Sequence, residues 1–347
     1  MLNEREAVPL LLQNLASQEG ANFEVIVCDG GSYDGTPQEV AGVVDNLPFR
    51  TSVIAAPQGR DRQLNAGAAA SRGSLLLFLH ADSLFPDGRA LQRAVMTLES
   101  RCREAGHDRV AGRFRLRFHG GSHDTSLAYA FYEAKARLER MGCIHGDQGF
   151  MLRRSFFDSV GPFPSGPAML AETRLADRIL VCGEWLLFPD EILTSARRFE
   201  AEGLRERQTL NALITGAAAA RWDTFFAEIP RLYRQQDQSG RLRLGSLLQR
   251  IDGLLEELPP AERRLLWHSV GAFVRDNAWQ IPFFFDVRRG LSHDPAERHP
   301  ATPLTTGFER WLAPLLAGPV GAYLASLLTR LWLRRLRRQE PAVMNKS

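Results

Sequence analysis

Apolar residues along the first third of the chain follow two rhythms in alternation. Short runs rich in Val, Ile and Leu predict strands over 23–28, 51–55 and 75–79, and apolar residues at three- and four-residue spacing predict helices over 7–18, 37–44, 60–70 and 87–104. Strands that alternate with helices argue for a parallel sheet covered on both faces, because each crossover lays a helix against it. Past His107 the rhythm changes. Positions 110–118 alternate apolar residues with Arg113, Arg115 and Arg117, the period of a half-exposed strand. That period puts the arginines on the solvated side of an edge strand, and a row facing phosphate or an acidic ligand is the alternative. A helix over 126–140 and strands over 146–152 and 191–196 follow.

Two of the predicted strands run straight into a carboxylate. Val25-Ile26-Val27 leads to Asp29, and Gly30-Gly31 lets the backbone turn sharply and come close to a ligand. Thr36-Pro37-Gln38-Glu39 has the form of a capping box with proline at the first helical position. Asp29 therefore stands at the carboxyl end of a strand, where open α/β sheets bind ligands, and reads as a nucleotide contact; capping of its own turn is the plainer reading. Downstream, an apolar run leads into His80-Ala81-Asp82-Ser83. A second carboxylate on the same sheet edge is free to hold a divalent cation, and one or two carboxylates completed by phosphate oxygens suit Mg2+ or Mn2+. His80-Ala81-Asp82 means little alone. It gains weight in register with Asp29 and with the stretch Arg60-Asp61-Arg62-Gln63-Leu64-Asn65 between Gly59 and Gly67.

These blocks, in this order, resemble an inverting family-2 glycosyltransferase of the GT-A fold, and they are most similar to a bacterial arsenosugar-biosynthesis or radical-SAM/selenodomain-associated subgroup. Leu2-Asn3-Glu4 resembles the end of the family's opening strand and its loop. The turn from Asp29 to Thr36 resembles the nucleoside site, 59–67 the arginine-rich loop and helix, and His80-Ala81-Asp82-Ser83 the metal motif. Gly146-Asp147-Gln148-Gly149 and Ser195-Ala196-Arg197-Arg198-Phe199 resemble later family blocks, so the likeness covers roughly the first two-thirds of the chain.

The resemblance implies a GT-A-like, Rossmann-related α/β fold: a mixed sheet with helices on both faces, followed here by a helical C-terminal extension. It implies a nucleoside-diphosphate sugar as donor. Asp29 would hold the nucleoside, with Glu4, Arg60 and Asn65 as further donor contacts, Asp82 would hold Mg2+ or Mn2+, and Arg198 with Arg197 would clamp the leaving diphosphate. A hydroxyl acceptor is expected between the Asp147-Gln148 segment and the loop around Glu172. There the family's Glu-Asp pair is replaced by Ala171-Glu172, and Glu172 is expected to deprotonate the acceptor. Its plainer reading is a residue favoured by the macrodipole at a helix N-terminus. The family also opens with an apolar strand ahead of the Leu-Asn-Glu loop, so an upstream segment supplying a central strand is expected.

Composition narrows the choice. The 347 residues are 44% hydrophobic and 24% charged, with a formal net charge of +3, values ordinary for a globular protein with one sizeable core and room for a second domain. Cys28, Cys102, Cys143 and Cys182 are widely spaced without a Cys-x-x-Cys, which argues against a zinc site and a disulfide framework. A nucleotidyltransferase sharing such a sheet would carry a lysine in a glycine-rich phosphate loop, and only Lys135 and Lys346 are present, neither in such a loop. A non-catalytic nucleotide-sugar-binding or scaffold protein stays open, given Ala171 and the strand expected upstream. No signal-peptide pattern precedes Asn3-Glu4-Arg5-Glu6, so a cytoplasmic location is expected.

From about 220 onward the composition turns helical and arginine-rich. Helical spacing runs over 210–233, 242–258 and 260–277, and a polar loop over 288–303 follows Phe283-Phe284-Phe285. His268, His293 and His299 are too scattered to argue catalysis. The tail is more specific, since 311–329 carries no charge and Arg330, Arg334, Arg335, Arg337 and Arg338 follow it. It can pack on the protein, lie peripherally on anionic lipid at the cytoplasmic face of the inner membrane, or span that membrane. Nucleic acid is not expected, because no aromatic residues interleave with the basic ones as in a single-strand binder. The expected divisions are a transferase domain over 1–219, a helical extension over 220–303 and an apolar, basic tail over 304–347.

Overall fold

The computed structural model describes residues 1–120, 127–166, 170–236, 240–290 and 302–339. The chain divides into two compact units, Met1–Ser195 and Ala196–Ser347. The first runs α1 (Ala7–Ala16), β1 (Val25–Asp29), α2 (Thr36–Val44), β2 (Thr51–Ala55), α3 (Arg60–Ala70), β3 (Leu75–Phe78), α4 (Ala90–Ala105), β4 (Val110–His119), α5 (Leu127–Ala136), β5 (Phe150–Arg153), α6 (Arg154–Val160), α7 (Ala171–Cys182) and β6 (Glu184–Ser195). The strands form two sheets. β1 and β2 pair in parallel, and the other four lie in the order β3-β5-β4-β6, antiparallel except between β4 and β6. The Met1 backbone lies along β1, its nitrogen donating to Cys28 O at 2.6 Å and its carbonyl accepting from Gly30 N at 2.9 Å.

The two-residue period of the strands separates two cores. Leu75, Leu77 and Met151 face one way, toward Leu11 and Leu15 of α1 and Leu91 and Leu98 of α4. Leu76, Phe78, Phe150 and Leu152 face the other, toward Phe156 of α6 and Leu175 and Ile179 of α7. Helices therefore cover both faces of a mixed sheet, the α/β arrangement implied by the resemblance.

Three local expectations change. First, β4 is not an edge strand: it pairs with both β5 and β6, and a bulge falls between Arg113 and Arg115. Arg113 is 1% exposed, donates to the carbonyls of Ala136 and Arg137 at 3.5 and 3.3 Å, and lies 5.8 Å from the Trp185 ring centroid. Burial pushes its guanidinium down to about 10. The alternation predicts the strand, but period alone does not say what lies on its polar side. Second, α2 starts at Thr36, capped by Gly35 in the left-handed region (φ 88°), and no side chain caps it. Thr36 is fully buried and its hydroxyl is engaged elsewhere, donating to Asp34 Oδ1 at 2.5 Å and accepting from Glu4 N at 3.0 Å, so it cannot close the expected capping box. Third, the segment expected as a strand over 146–152 opens with a 3-10 turn, Gly146–Gln148, before β5.

The second unit is helical: α8 (Arg197–Glu202), α9 (Leu204–Ala219), α10 (Asp223–Gln236), α11 (Leu244–Glu257), α12 (Pro260–Asp276), α13 (Gln280–Gly290), α14 (Pro303–Gly307), a π-helical turn Phe308–Leu312, α15 (Ala313–Leu316) and α16 (Pro319–Gln339). The helix expected over 210–233 is broken after α9, where Arg221 takes a positive φ of 51°. The boundary falls after Ser195 rather than after 219, because α9 packs against α8 and α12. Nor is the tail a separate piece. α16 lies along α12 so closely that an ideal Cβ on Gly271 would sit 2.2 Å from Ala322 O, a crossing that only glycine permits. Among the described residues no single helix is long and apolar enough to cross a membrane, and the stretches Pro303–Leu316 and Pro319–Gln339 are bent by 102° to one another. The polar loop expected over 288–303 begins inside α13, and 291–301 lies outside the described residues.

Candidate functional site

β1 ends at Asp29, and its carboxylate is bound by its own turn. Oδ1 accepts from the Ser32 hydroxyl at 2.6 Å, and Oδ2 accepts from the backbone N–H groups of Gly31 and Ser32 at 3.1 Å each. The turn is tied in turn to the segment before α1. Asn3 N donates to Ser32 Oγ at 2.9 Å, and Asn3 Oδ1 accepts from Tyr33 N at 3.1 Å. Arg60 is the first residue of α3. The Met1 amino group reports what surrounds this end of the sheet: burial lowers its pKa, and Cys28, Arg60, Asp29 and Glu4 all act on it.

The chemistry concentrates around Glu172, in the first turn of α7. His80, just past β3, places Nε2 2.7 Å from Glu172 Oε1, and Arg60 Nε lies 2.9 Å from Glu172 Oε2. The Glu172 side chain is 11% exposed. Burial acts to raise its pKa, but the Arg60 and His80 charges, together with the His80 hydrogen bond, outweigh it and hold the carboxyl at about 2. The turn before β5 supplies the floor, since an ideal Cβ on Gly146 would lie 1.8 Å from Glu172 Oε1. Any side chain there would displace the carboxylate.

Next to Gly146, burial pushes Asp147 up to about 6; His80 and Arg60 pull it down, and Glu172 and Asp82 push it further up. Asp147 Oδ1 is buried without a hydrogen-bond partner. Burial also pushes His145 down to about 4, leaving a neutral ring whose Nδ1 lies 3.3 Å from Thr173 Oγ1. Two neighbouring carboxyls are thus driven in opposite directions, the arrangement that separates acid from base roles.

An acid raised above its ordinary value binds its proton more tightly in the folded state, so Asp147 costs stability as pH rises from about 4 through about 6. Asp147→Asn should therefore melt higher than wild type near pH 8, by at most about 3 kcal/mol, and match it near pH 4. Thermal melts across that range check this, and a difference independent of pH would count against it.

Asp82 is half-buried, and among the described residues its carboxylate has no hydrogen-bond or ion-pair partner. Its charge and the orphaned Asp147 oxygen share one electrostatic neighbourhood. The described residues hold no cluster of three or more His, Cys, Asp or Glu side chains able to cage a metal. One hard carboxylate with a second acid nearby fits Mg2+ or Mn2+ completed by phosphate oxygens and water.

The remaining residues singled out in the sequence take other places. Asn65 uses both ends of its amide on one residue, donating to Phe163 O at 3.0 Å and accepting from Phe163 N at 2.9 Å, so it fastens α3 to the loop after α6. Gln148 is fully buried, donating to Ala136 O at 2.7 Å and accepting from His145 N at 3.0 Å, and so holds the 3-10 turn. Arg198 belongs to the second unit, on α8, with its Nε 3.9 Å from Glu202 Oε1. The bond between His80 and Glu172 joins positions 92 residues apart, and nothing local in the sequence announces it.

Residues 1–161 match the Glycosyl transferase family 2 profile. Glycosyltransferase AglE of Haloferax volcanii is 25% identical over 198 residues, 55% of this chain and 62% of that protein. An uncharacterized glycosyltransferase of Haemophilus influenzae is 38% identical over 85 residues, 24% of this chain and 27% of that protein. A PGL/p-HBAD biosynthesis glycosyltransferase of Mycobacterium tuberculosis is 27% identical over 172 residues, 49% of this chain and 63% of that protein. The chain spans less than two-thirds of the length of each of these curated relatives. Among solved structures, the mannosyltransferase PcManGT from Pyrobaculum calidifontis, in complex with GDP-Man and Mn2+, is 19% identical, with 96% of this chain and 85% of that one covered at a TM-score of 0.45. The segment that carries Asp29, Arg60, His80, Asp82 and Asp147 thus matches Glycosyl transferase family 2 on a GT-A-like α/β fold, and glycosyltransferases are what it is similar to.

Proposed function

We propose that the protein transfers a sugar from a nucleoside-diphosphate sugar to an acceptor hydroxyl, with inversion and with Mg2+ or Mn2+ as cofactor. The observation that carries this reading is the Glu172 carboxylate held between Arg60 and His80, beside Asp147 and next to the Asp82 turn. Asp29 and Glu4 hold the nucleoside. Asp82 would hold the metal, which supplies neutralisation of the diphosphate charge when bound. In the single displacement, the acceptor oxygen bonds to the anomeric carbon as the bond from that carbon to the diphosphate breaks. The acceptor proton passes to Glu172, and the bonding pair leaves with the diphosphate.

Arg60 gives this scheme its order. In the structure it is the largest charge holding the Glu172 pKa down. A diphosphate that draws Arg60 away leaves burial less opposed, so Glu172 becomes a stronger base when donor is present. The quoted sequence blocks support the arsenosugar-type subgroup, although no side chain of the site selects arsenic, and a cytoplasmic location goes with a soluble nucleotide-sugar donor. Calorimetry of the intact chain with a panel of uridine-, guanosine- and thymidine-diphosphate sugars, each with Mg2+, Mn2+ or chelator, tests the reading. One donor should bind in a metal-dependent way and be hydrolysed slowly. No binding and no turnover with any of them would sink it.

A further inference from the structure

The face of α16 turned away from α12 is uncovered. Val320, Tyr323, Leu324, Leu328 and Leu331 recur at three- and four-residue spacing and are 49–70% exposed, so they form one stripe along the helix. Trp311 and Leu315, at 67% and 80%, extend the apolar surface just before the helix begins. An apolar stripe of this length on the outside of a protein marks an interaction surface. Its chemistry changes at the last two turns, where Arg334, Arg335 and Arg338 are exposed, and 311–338 contains no acidic residue.

Beside the stripe, α11, α12 and α16 line an open cavity of about 250 Å³. Four guanidinium groups, of Arg263, Arg330, Arg334 and Arg337, line it against two carboxylates, Asp252 and Glu256. Arg337 pairs with Asp252, and Arg330 stacks 5.0 Å from the Trp267 ring centroid. The Nε–H groups of Arg330 and Arg337 are buried without an acceptor. Arg334 joins the two features, since it lines the cavity and follows Leu331 by three residues, a neighbouring position on the helix surface.

We propose that α16 is a docking surface for an anionic phospholipid bilayer, its apolar stripe entering the headgroup–acyl boundary and a lipid phosphate seating in the arginine cavity beside it. The complementarity is twofold. Apolar side chains and basic side chains follow each other along one helix, as in interfacial helices, and orphaned N–H donors meet an oxyanion. Because the basic residues occupy only the last turns, the helix dips at its N-terminal end, with the arginines at headgroup level. Among the described residues no single helix is long and apolar enough to span, and the 102° bend before α16 separates it from the apolar stretch that precedes it, which accords with a helix lying obliquely at the surface.

Flotation of the intact chain with vesicles tests this. Binding to phosphatidylglycerol-containing vesicles at low salt, weak binding to pure phosphatidylcholine, and release by high salt are expected. The double variant Leu324→Glu/Leu328→Glu changes only exposed positions and should lower partitioning at least tenfold with an unchanged melting temperature. Reversing Arg334, Arg335 and Arg338 to Glu should lower it by at least about two orders of magnitude, the usual contribution of three basic residues near an anionic surface. Donor calorimetry on the same variants should be unchanged, which separates this proposal from the transferase reading. Four results would overturn it, the first three being no vesicle binding by the intact chain; inorganic phosphate binding in calorimetry without vesicle binding, meaning a free-anion site; and conversion of a dimer to a monomer by Leu324→Glu/Leu328→Glu without vesicle binding, meaning a second copy covers the stripe. Resistance to both high salt and alkaline carbonate would instead mean insertion and would also overturn it.

Discussion

Glu172→Gln should lower transfer to the acceptor by about 10²-fold or more while donor affinity stays within about twofold, the signature of a lost general base. The change keeps the size of the side chain and removes its charge, so Gly146 still packs against it. Arg60 and His80 keep an oxygen to donate to but lose an anion. Free of that anion, Arg60 is more available to the diphosphate, which is why donor affinity holds or rises slightly. The pH profile adds a second readout. In the wild type without donor, Glu172 stays ionised down to about pH 2, and its contribution to stability, present above its ordinary value, is lost only as pH falls through that region. On the proposed scheme, in which donor draws Arg60 off Glu172, the acid limb of turnover should lie well above the acid limb of stability. If Glu172→Gln transfers at the wild-type rate, the base lies elsewhere, and Asp147→Asn becomes the informative variant, since burial holds that carboxyl at about 6, nearer the working range of a base.

Much of the first unit was legible because its signals are local. The helix expected over 60–70 and the strand over 51–55 appear with those bounds, since each rests on a run of side chains and on the residues that end it. What was not legible depends on distant parts of the chain. Arg113 looked like a solvated side chain because alternation reports a period, whereas the burial of that face comes from α5 and Trp185. Asn65 stood inside a motif that pointed to a donor, yet its amide answers Phe163, 98 residues away. Glu172 illustrates both halves of the problem. Its position at a helix N-terminus was readable. The clamp formed with Arg60 and His80 was not, and that clamp sets its basicity. The tail shows the same limit, since an uncharged run followed by arginines fits a packed or an interfacial helix, and less readily a spanning one. The α12 crossing, the bend and the uncovered stripe are set by the fold, and no local run of residues announces them.

Asp82→Ala should weaken binding of the nucleotide sugar by about 10- to 100-fold in the presence of Mg2+ or Mn2+, about 1.4–2.8 kcal/mol, and leave little metal dependence behind. The test is clean because the Asp82 carboxylate has no hydrogen-bond or ion-pair partner among the described residues. Removing it should not lower the melting temperature. It should also relieve the push that Asp82 exerts on Asp147, moving that carboxyl down and flattening the loss of stability with rising pH, a metal-free sign that the two acids share one neighbourhood. Asp29→Ala makes the contrast. Its carboxylate accepts from Ser32 and from two backbone N–H groups, so its loss should loosen the turn and weaken the nucleoside with or without metal. Metal-dependent affinity that survives Asp82→Ala would remove the assignment of the cation to this carboxylate and leave Asp147, with its buried orphaned oxygen, as the remaining anionic oxygen in that neighbourhood beside Glu172, which is already clamped.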